Sequence, residues 1–248
     1  MVERLLFRRL PRSRFGALVA REMRYWWRET RRRAALITFS VVGVFLPVSL
    51  AIAGGGGAGP TVLFVGALAA IPLANQFAYE GNAYAANMIA GVPGRVEVQS
   101  RAAAHAIFVV PVLAMIAVVA GFVTGPPSSI PGDFGLLVAA YGVGLGLVLP
   151  LSVRAAYALP ETTNPFAMSS GGGMAKGLLT LGVLVGAVLG TLPLQIAGYF
   201  LGAVWPWIGL PVGVAYGVAA YLIGSGVAGD LLDRRMPEVL AAVTPNRA

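Results

Sequence analysis

Long apolar runs dominate the chain, separated by short polar or Pro/Gly-rich stretches. They show neither the two-residue alternation of half-buried strands nor the single apolar stripe of soluble helices. A helix rising about 1.5 Å per residue needs roughly 20 apolar residues to cross about 30 Å of hydrocarbon. Six runs approach or exceed that length without Asp, Glu, Lys or Arg, over 34–53, 61–79, 104–124, 134–153, 177–194 and 207–228. The pattern therefore predicts an all-α polytopic membrane protein with six transmembrane helices. Residues 193–206, Pro-rich and aromatic, are too few for a free loop and suit a re-entrant segment between helices five and six. The chain divides into a basic segment over 1–33, a membrane domain over 34–229 and a tail over 230–248.

Of the 248 residues, 57% are hydrophobic and 11% charged, against about 25% charged in soluble chains. The net charge of +8 would invite a polyanion partner in a soluble protein, so the placement of the basic residues decides. Eleven Arg precede the first run, Arg95 and Arg101 lie between the second and third, Arg154 and Lys176 between the fourth and fifth, and Arg234, Arg235 and Arg247 after the sixth. All fall on one face, which the positive-inside rule makes cytoplasmic. Both termini are then inside a multi-pass cell-membrane protein. The outer connections carry one charge, Asp133. The basic excess reads as an orientation signal and an anchor to anionic lipid, not as a nucleic-acid surface. Ala51-Ile52-Ala53 and Arg31-Arg32 resemble signal-peptide features, but the long N-terminal segment and the later runs argue against cleavage. The absence of cysteine excludes disulfides, thiolate metal sites and Cys nucleophiles.

At 100° per residue, Phe15, Leu18, Val19, Met23, Trp26 and Trp27 share one arc, and Arg14, Arg21, Arg24, Arg28 and Arg31 the opposite one. This predicts an interfacial helix. Glu22 breaks the pattern: it either pairs with a neighbouring Arg or sits at a subunit contact. A second surface helix is expected over 80–90, stopped by Gly91-Val92-Pro93-Gly94, with a short helix over 95–103 leading into the third span. Such a helix-turn-helix is a docking surface for another protein. Gly171 to Gly177 reads GGGMAKG, which lacks the spacing and the strand of a phosphate loop, so any ATP is bound by another chain. Glycines recur every four residues at Gly182, Gly186 and Gly190, at Gly209, Gly213 and Gly217, and at Gly142 and Gly146. That spacing serves helix packing within the bundle or between subunits. The spans offer no catalytic set: His105 is the lone histidine, and no buried carboxylate pair or metal cluster is present. Neutral polar residues remain, among them Asn75, Gln76 and Gln195. These hydrogen-bond between helices by default, or line a path for an amphiphilic solute.

Ala20-Arg21-Glu22-Met23-Arg24-Tyr25-Trp26-Trp27-Arg28 resembles the elbow helix that precedes the first span in membrane subunits of type-2 ABC exporters. Asn75-Gln76-Phe77-Ala78-Tyr79-Glu80-Gly81-Asn82, continuing to Val92-Pro93, is similar to that family's second-span end and coupling helix. Asn164-Pro165-Phe166 and the glycine run look like the inner loop of its bacterial drug-exporter branch. The similarity extends over about 14–230. It implies a permease for drugs, antibiotics or lipid-like solutes, working by alternating access and not an enzyme by itself. No cofactor belongs to this chain; ATP and Mg are expected in a separate ABC ATP-binding subunit. A second permease unit, identical or a sibling, completes the pathway. The implied ATPase interface comprises Glu80, Gly81, Asn82, Tyr84 and Asn87, with Glu22, Arg24 and Arg28 on the elbow helix. Some relatives carry two units in one polypeptide, and residues 2–11 could pass for the linker between them. The competing reading is a non-catalytic membrane assembly or scaffold protein.

Overall fold

The computed structural model describes residues 10–54, 59–159 and 173–244, and all regular structure among them is helical. In chain order the helices are α1 (Arg14–Arg28), α2 (Thr30–Ile52), α3 (Gly59–Leu68), α4 (Ala85–Ile89), α5 (Gly94–Thr124), α6 (Ile130–Arg154), α7 (Gly173–Gly190), α8 (Leu192–Leu201) and α9 (Trp205–Val243). Four stretches are long and apolar enough to cross a membrane: Thr30–Ile52, Gly94–Thr124, Pro127–Arg154 and Gly177–Val243. The last includes most of α7 and all of α8 and α9.

The run over 61–79 is not one α-helix. Its α-helical part ends at Leu68, and the chain continues through i→i−3 turns, with Leu73 N–H donating to Ala70 O and Ala74 N–H to Ile71 O. Pro72 accounts for the change, because it lacks an N–H and its ring clashes with the carbonyl four residues earlier. At the other end of the chain, α9 runs on past residue 229 to Val243. A break at Arg235 (φ −126°, ψ 17°), two residues before Pro237, turns the last part back, and Val239 and Val243 become buried. The expected tail is thus partly built into the fold. Asp233, on this extension, accepts a hydrogen bond from Gly94 N–H at 2.6 Å and so caps the start of α5. The expected short helix over 95–103 is simply the first part of α5.

Residues 193–206 form a compact turn. Thr191 interrupts α7, α8 follows, and Gly202 at φ +52° reverses the chain into α9. The Trp205 indole lies against both Gly198 and Gly209. The inner-loop motif Asn164-Pro165-Phe166, the glycines 171–172 and the N-terminal residues 1–9 lie outside the described residues.

The bundle is organised around α6 and α9, its most extensive helix pair. Within a bilayer there is no hydrophobic drive between apolar helices, so close backbone approach must supply the contact. Glycine makes that approach here. A Cβ at Gly142 would overlap the backbone of Gly217, one at Gly213 the backbone of Gly135, and one at Gly224 the backbone of Gly146. Since 135 meets 209–213 and 146 meets 220–224, the two helices run parallel. α3 packs parallel to α6 through Gly66 against Leu137, and α7 runs antiparallel to it, with Gly186 beside Leu147 and Gly190 beside Val143. The predicted glycine faces are therefore spent largely inside the chain. Gly182 is the exception, with nothing within 4 Å of its would-be Cβ.

Gly142→Ala is expected to lower the thermal midpoint of the detergent-solubilised protein by an amount equivalent to about 2 kcal/mol or more, as overpacking does. Gly182→Ala should leave it unchanged. Equal midpoints for the two variants would contradict a seam closed by backbone contact.

Candidate functional site

α1 lies across α5 and begins with Ser13, whose Oγ accepts the Gly16 N–H at 3.2 Å. Its inward face is Gly16, Val19, Ala20, Glu22 and Trp26, and Trp27 on the other side is 72% exposed. A single extended residue, Glu29, joins α1 to α2. Arg32 in the first turn of α2 therefore comes back beneath α1.

Glu22, the one polar residue on the apolar arc, is the start of a buried charged cluster. Its Oε2 accepts from Arg32 Nη1 at 2.6 Å, and its Oε1 lies 3.2 Å from Arg21 Nη2 and 3.7 Å from Arg101 Nη1. Glu80 bridges the same two arginines, Oε1 to Arg21 Nη2 at 3.0 Å and Oε2 to Arg101 Nη2 at 2.9 Å. Glu97, one helical turn before Arg101 on α5, holds Arg101 Nη2 at 2.5 Å. Asn87 ties in the short helix α4: its Nδ2 donates to Glu97 at 2.7 Å and its Oδ1 accepts from Arg21 Nη1 at 2.6 Å. Arg101 also donates to the Gln76 carbonyl at 3.2 Å and stacks over Phe77, 4.9 Å from the ring centre. Arg32 sits 4.8 Å from the Tyr79 ring centre.

Three guanidinium groups thus face three carboxyls, with Glu29 beside Arg32 at the rim (2.9 Å). Near neutrality is what permits such burial, since an unpaired ion removed from water costs several kcal/mol. The two central carboxyls respond differently. Burial raises both, but at Glu22 the guanidinium groups of Arg101 and Arg32 outweigh it and bring the pKa down to about 2. At Glu80 burial prevails over Arg101, and the neighbouring Glu22 charge adds to it, so this carboxyl stays above its ordinary value.

The expected interface residues consequently divide. Glu22, Glu80, Tyr84 and Asn87 point into the protein. Asn82 and Arg28 are exposed, Arg24 is half-buried, and Gly81, at φ +50°, makes the turn that leads into α4. The outward surface of this segment is instead Ala83, Ala86, Ile89 and Ala90, with Ile89 88% exposed. In the sequence reading Arg101 entered only as a topological charge, Arg32 as one more and as half of a twin-arginine pair, and Glu97 not at all. The Glu97–Arg101 spacing was a legible helical ion pair, but nothing local marked Arg32.

The neutral polar residues are not brought together. Asn75 clasps the Tyr157 backbone, donating to its carbonyl at 3.0 Å and accepting its N–H at 3.3 Å. It also lines a cavity of about 400 Å³ with Phe39, Tyr79, Tyr157 and Thr180. Gln76 is buried and donates to Ser152 Oγ at 2.9 Å. Gln195 lies on α8 at the far end of the bundle, against Thr191. His105 is fully buried, with Nδ1 2.9 Å from the Tyr141 hydroxyl and its ring 4.7 Å from that of Trp26.

The described residues form an all-helical fold, and four of its stretches have the length and apolar composition of membrane-spanning helices. No family model matches the chain, and no curated protein or solved structure compared with it does either.

Replacing Arg101 with Met should leave buried Glu97 without a cation, while Glu22 keeps Arg32 and Arg21 and Glu80 keeps Arg21, and should cost about 3–5 kcal/mol of stability, as breaking a buried ion pair does; thermal unfolding in detergent measures this. Glu22 gives a pH signature. Its folded pKa lies below the ordinary 4.5, so its stabilisation, about 3 kcal/mol for a drop to about 2, is complete above that value and lost as pH falls toward 2. Glu22→Gln should therefore be less stable than wild type at pH 6 and show a flatter acid limb. Parallel acid limbs would remove Glu22 from this role.

Proposed function

We propose that the chain is the permease subunit of an ATP-driven exporter of hydrophobic or amphiphilic solutes, operating by alternating access with a separate ATP-binding subunit. The observation that carries the reading is the surface segment Gly81–Tyr84 and α4. It projects Ile89 outward and is bonded inward, through Glu80 and Asn87, to α1 and α5. A push on that segment is passed to helices that cross the membrane. α1 is the elbow helix in this reading.

Six crossings fit the helix directions. α2, α5 and α7 run away from the charged cluster, and α3, α6 and α9 run toward it. Two crossings beyond the four long stretches come from α3 with its 3₁₀ continuation and from dividing the last stretch into α7 and α9. α8, with exposed Tyr199 and Phe200, is the re-entrant element. The positive-inside rule puts the charged cluster and both termini in the cytoplasm. A second permease unit faces this one, and the cavity beside Asn75 belongs to the solute path between them.

Glu80→Arg is a poor probe of ATPase docking, because it would set another cation against Arg21 and Arg101. Ile89→Asp changes only the outward surface. The tagged chain, purified from its own membranes, should carry an ATP-hydrolysing partner. Ile89→Asp should lose that partner with no change in thermal midpoint. Purification without an ATPase, in a protein that remains functional, would favour the scaffold reading. A complex that survives Ile89→Asp would remove this surface from coupling.

A further inference from the structure

In the halves nearest the charged cluster, α6 packs on both α7 and α9, but α7 and α9 do not close against each other. They leave an open groove of about 720 Å³ between them. Its walls are apolar, with Leu147, Leu151, Leu179, Val183, Ile223 and Val227 among them, and no carboxylate lines it among the described residues. Gly182 belongs to the lining, at the position where a Cβ would meet open space. On α6 the lining runs from Val143 to Arg154, about 16 Å at 1.5 Å per residue. That is close to half of a hydrocarbon core about 30 Å thick, the depth of one leaflet.

Arg154 stands at the groove's end. It is exposed and has no hydrogen-bond or ionic partner among the described residues. Its level is that of the polar boundary, because Tyr157, three residues on, is held by Asn75, and the neighbouring Gln76 carbonyl accepts from Arg101. A single-leaflet apolar slot ending in a guanidinium unpaired among the described residues has the charge and hydropathy profile of one lipid molecule with an anionic head.

We propose that this groove is a binding site for one anionic phospholipid, its acyl chain laid along α6, α7 and α9 and its phosphate on Arg154. Guanidinium is matched to phosphate by a planar fork of donors, and basic pockets between membrane helices bind anionic headgroups in this way. A second copy of the chain fits less well. A symmetric contact through this face would bring two Arg154 groups together, with no acidic residue on the walls to separate them. The site does not depend on the exporter reading, only on the helices lying in a bilayer.

Native mass spectrometry of the intact chain in detergent, titrated with phosphatidylglycerol or phosphatidylcholine, tests this directly. Wild type should retain one phosphatidylglycerol at least tenfold more tightly than phosphatidylcholine. Arg154→Gln should abolish that preference, and Arg154→Lys should retain part of it. Gly182→Leu, whose side chain enters free space, should lose both lipids at an unchanged lipid-free thermal midpoint. The proposal is overturned if wild type binds the two lipids equally or if Arg154→Gln keeps the preference. It is equally overturned if wild type is a dimer that Gly182→Leu dissociates, which would make the groove a subunit seat.

Discussion

Arg101 cannot shed its proton inside a protein, so its burial obliges the surrounding chain to supply compensating charge. That charge comes from three separate places: Glu97 on its own helix, Glu80 at the entry to the surface segment, and Glu22 on α1. Each delivery fixes an element. Glu22 holds α1 across α5, Glu80 and Asn87 hold the segment carrying α4, and Arg32, answering Glu22, sets where α2 begins. In a low-dielectric environment these bonds are strong, and leaving any one of them unmade is costly. The cluster therefore works as a joint with little play, in which no member can shift without its neighbours.

The other half of the bundle is held by a different physics. Along the glycine seam between α6 and α9 there is no charge to satisfy, and cohesion comes from backbone lying on backbone where glycine removes the side chain. Such contacts are short-ranged and sensitive to shape, whereas the ionic cluster is held by directional bonds between charged groups. One part of the protein is thus a tight rod pair, and the other is a set of elements tied at one end. In the permease role proposed for the chain, that combination would give a stiff element to lean on and a linked set to move.

Hydropathy made the apolar runs, their approximate limits and the amphipathic character of α1 legible in the sequence, because each depends on local composition. The parts that were not legible depend on partners far away in the chain. Glu22 stood out as an anomaly on the apolar arc, yet its partner Arg101 is 79 positions on, and no local rule connects them. Asn75 and Gln76 were read as candidates for a path, but Gln76 is taken up by Ser152 on another helix. Pro72 was visible throughout the apolar run it interrupts. Hydropathy averages over a single imino acid, whereas the hydrogen-bond ladder does not. The turn back at Arg235 was hidden for the opposite reason, since the polar composition of 230–248 resembles a tail until Asp233 finds Gly94.

The parallel course of α6 and α9 bears on how the protein is made. Two neighbouring helices can pair as soon as both are inserted when they are antiparallel and joined by a short loop. A parallel pair has to wait, because the intervening chain, here α7 and α8, must first return to the side from which α9 starts. As synthesis runs from the N-terminus, α6 spends that interval with its glycine face uncovered in lipid. The most extensive helix contact among the described residues is then the last to form, and it seals a bundle whose charged joint, drawn from residues 21–101 alone, has been complete since α5.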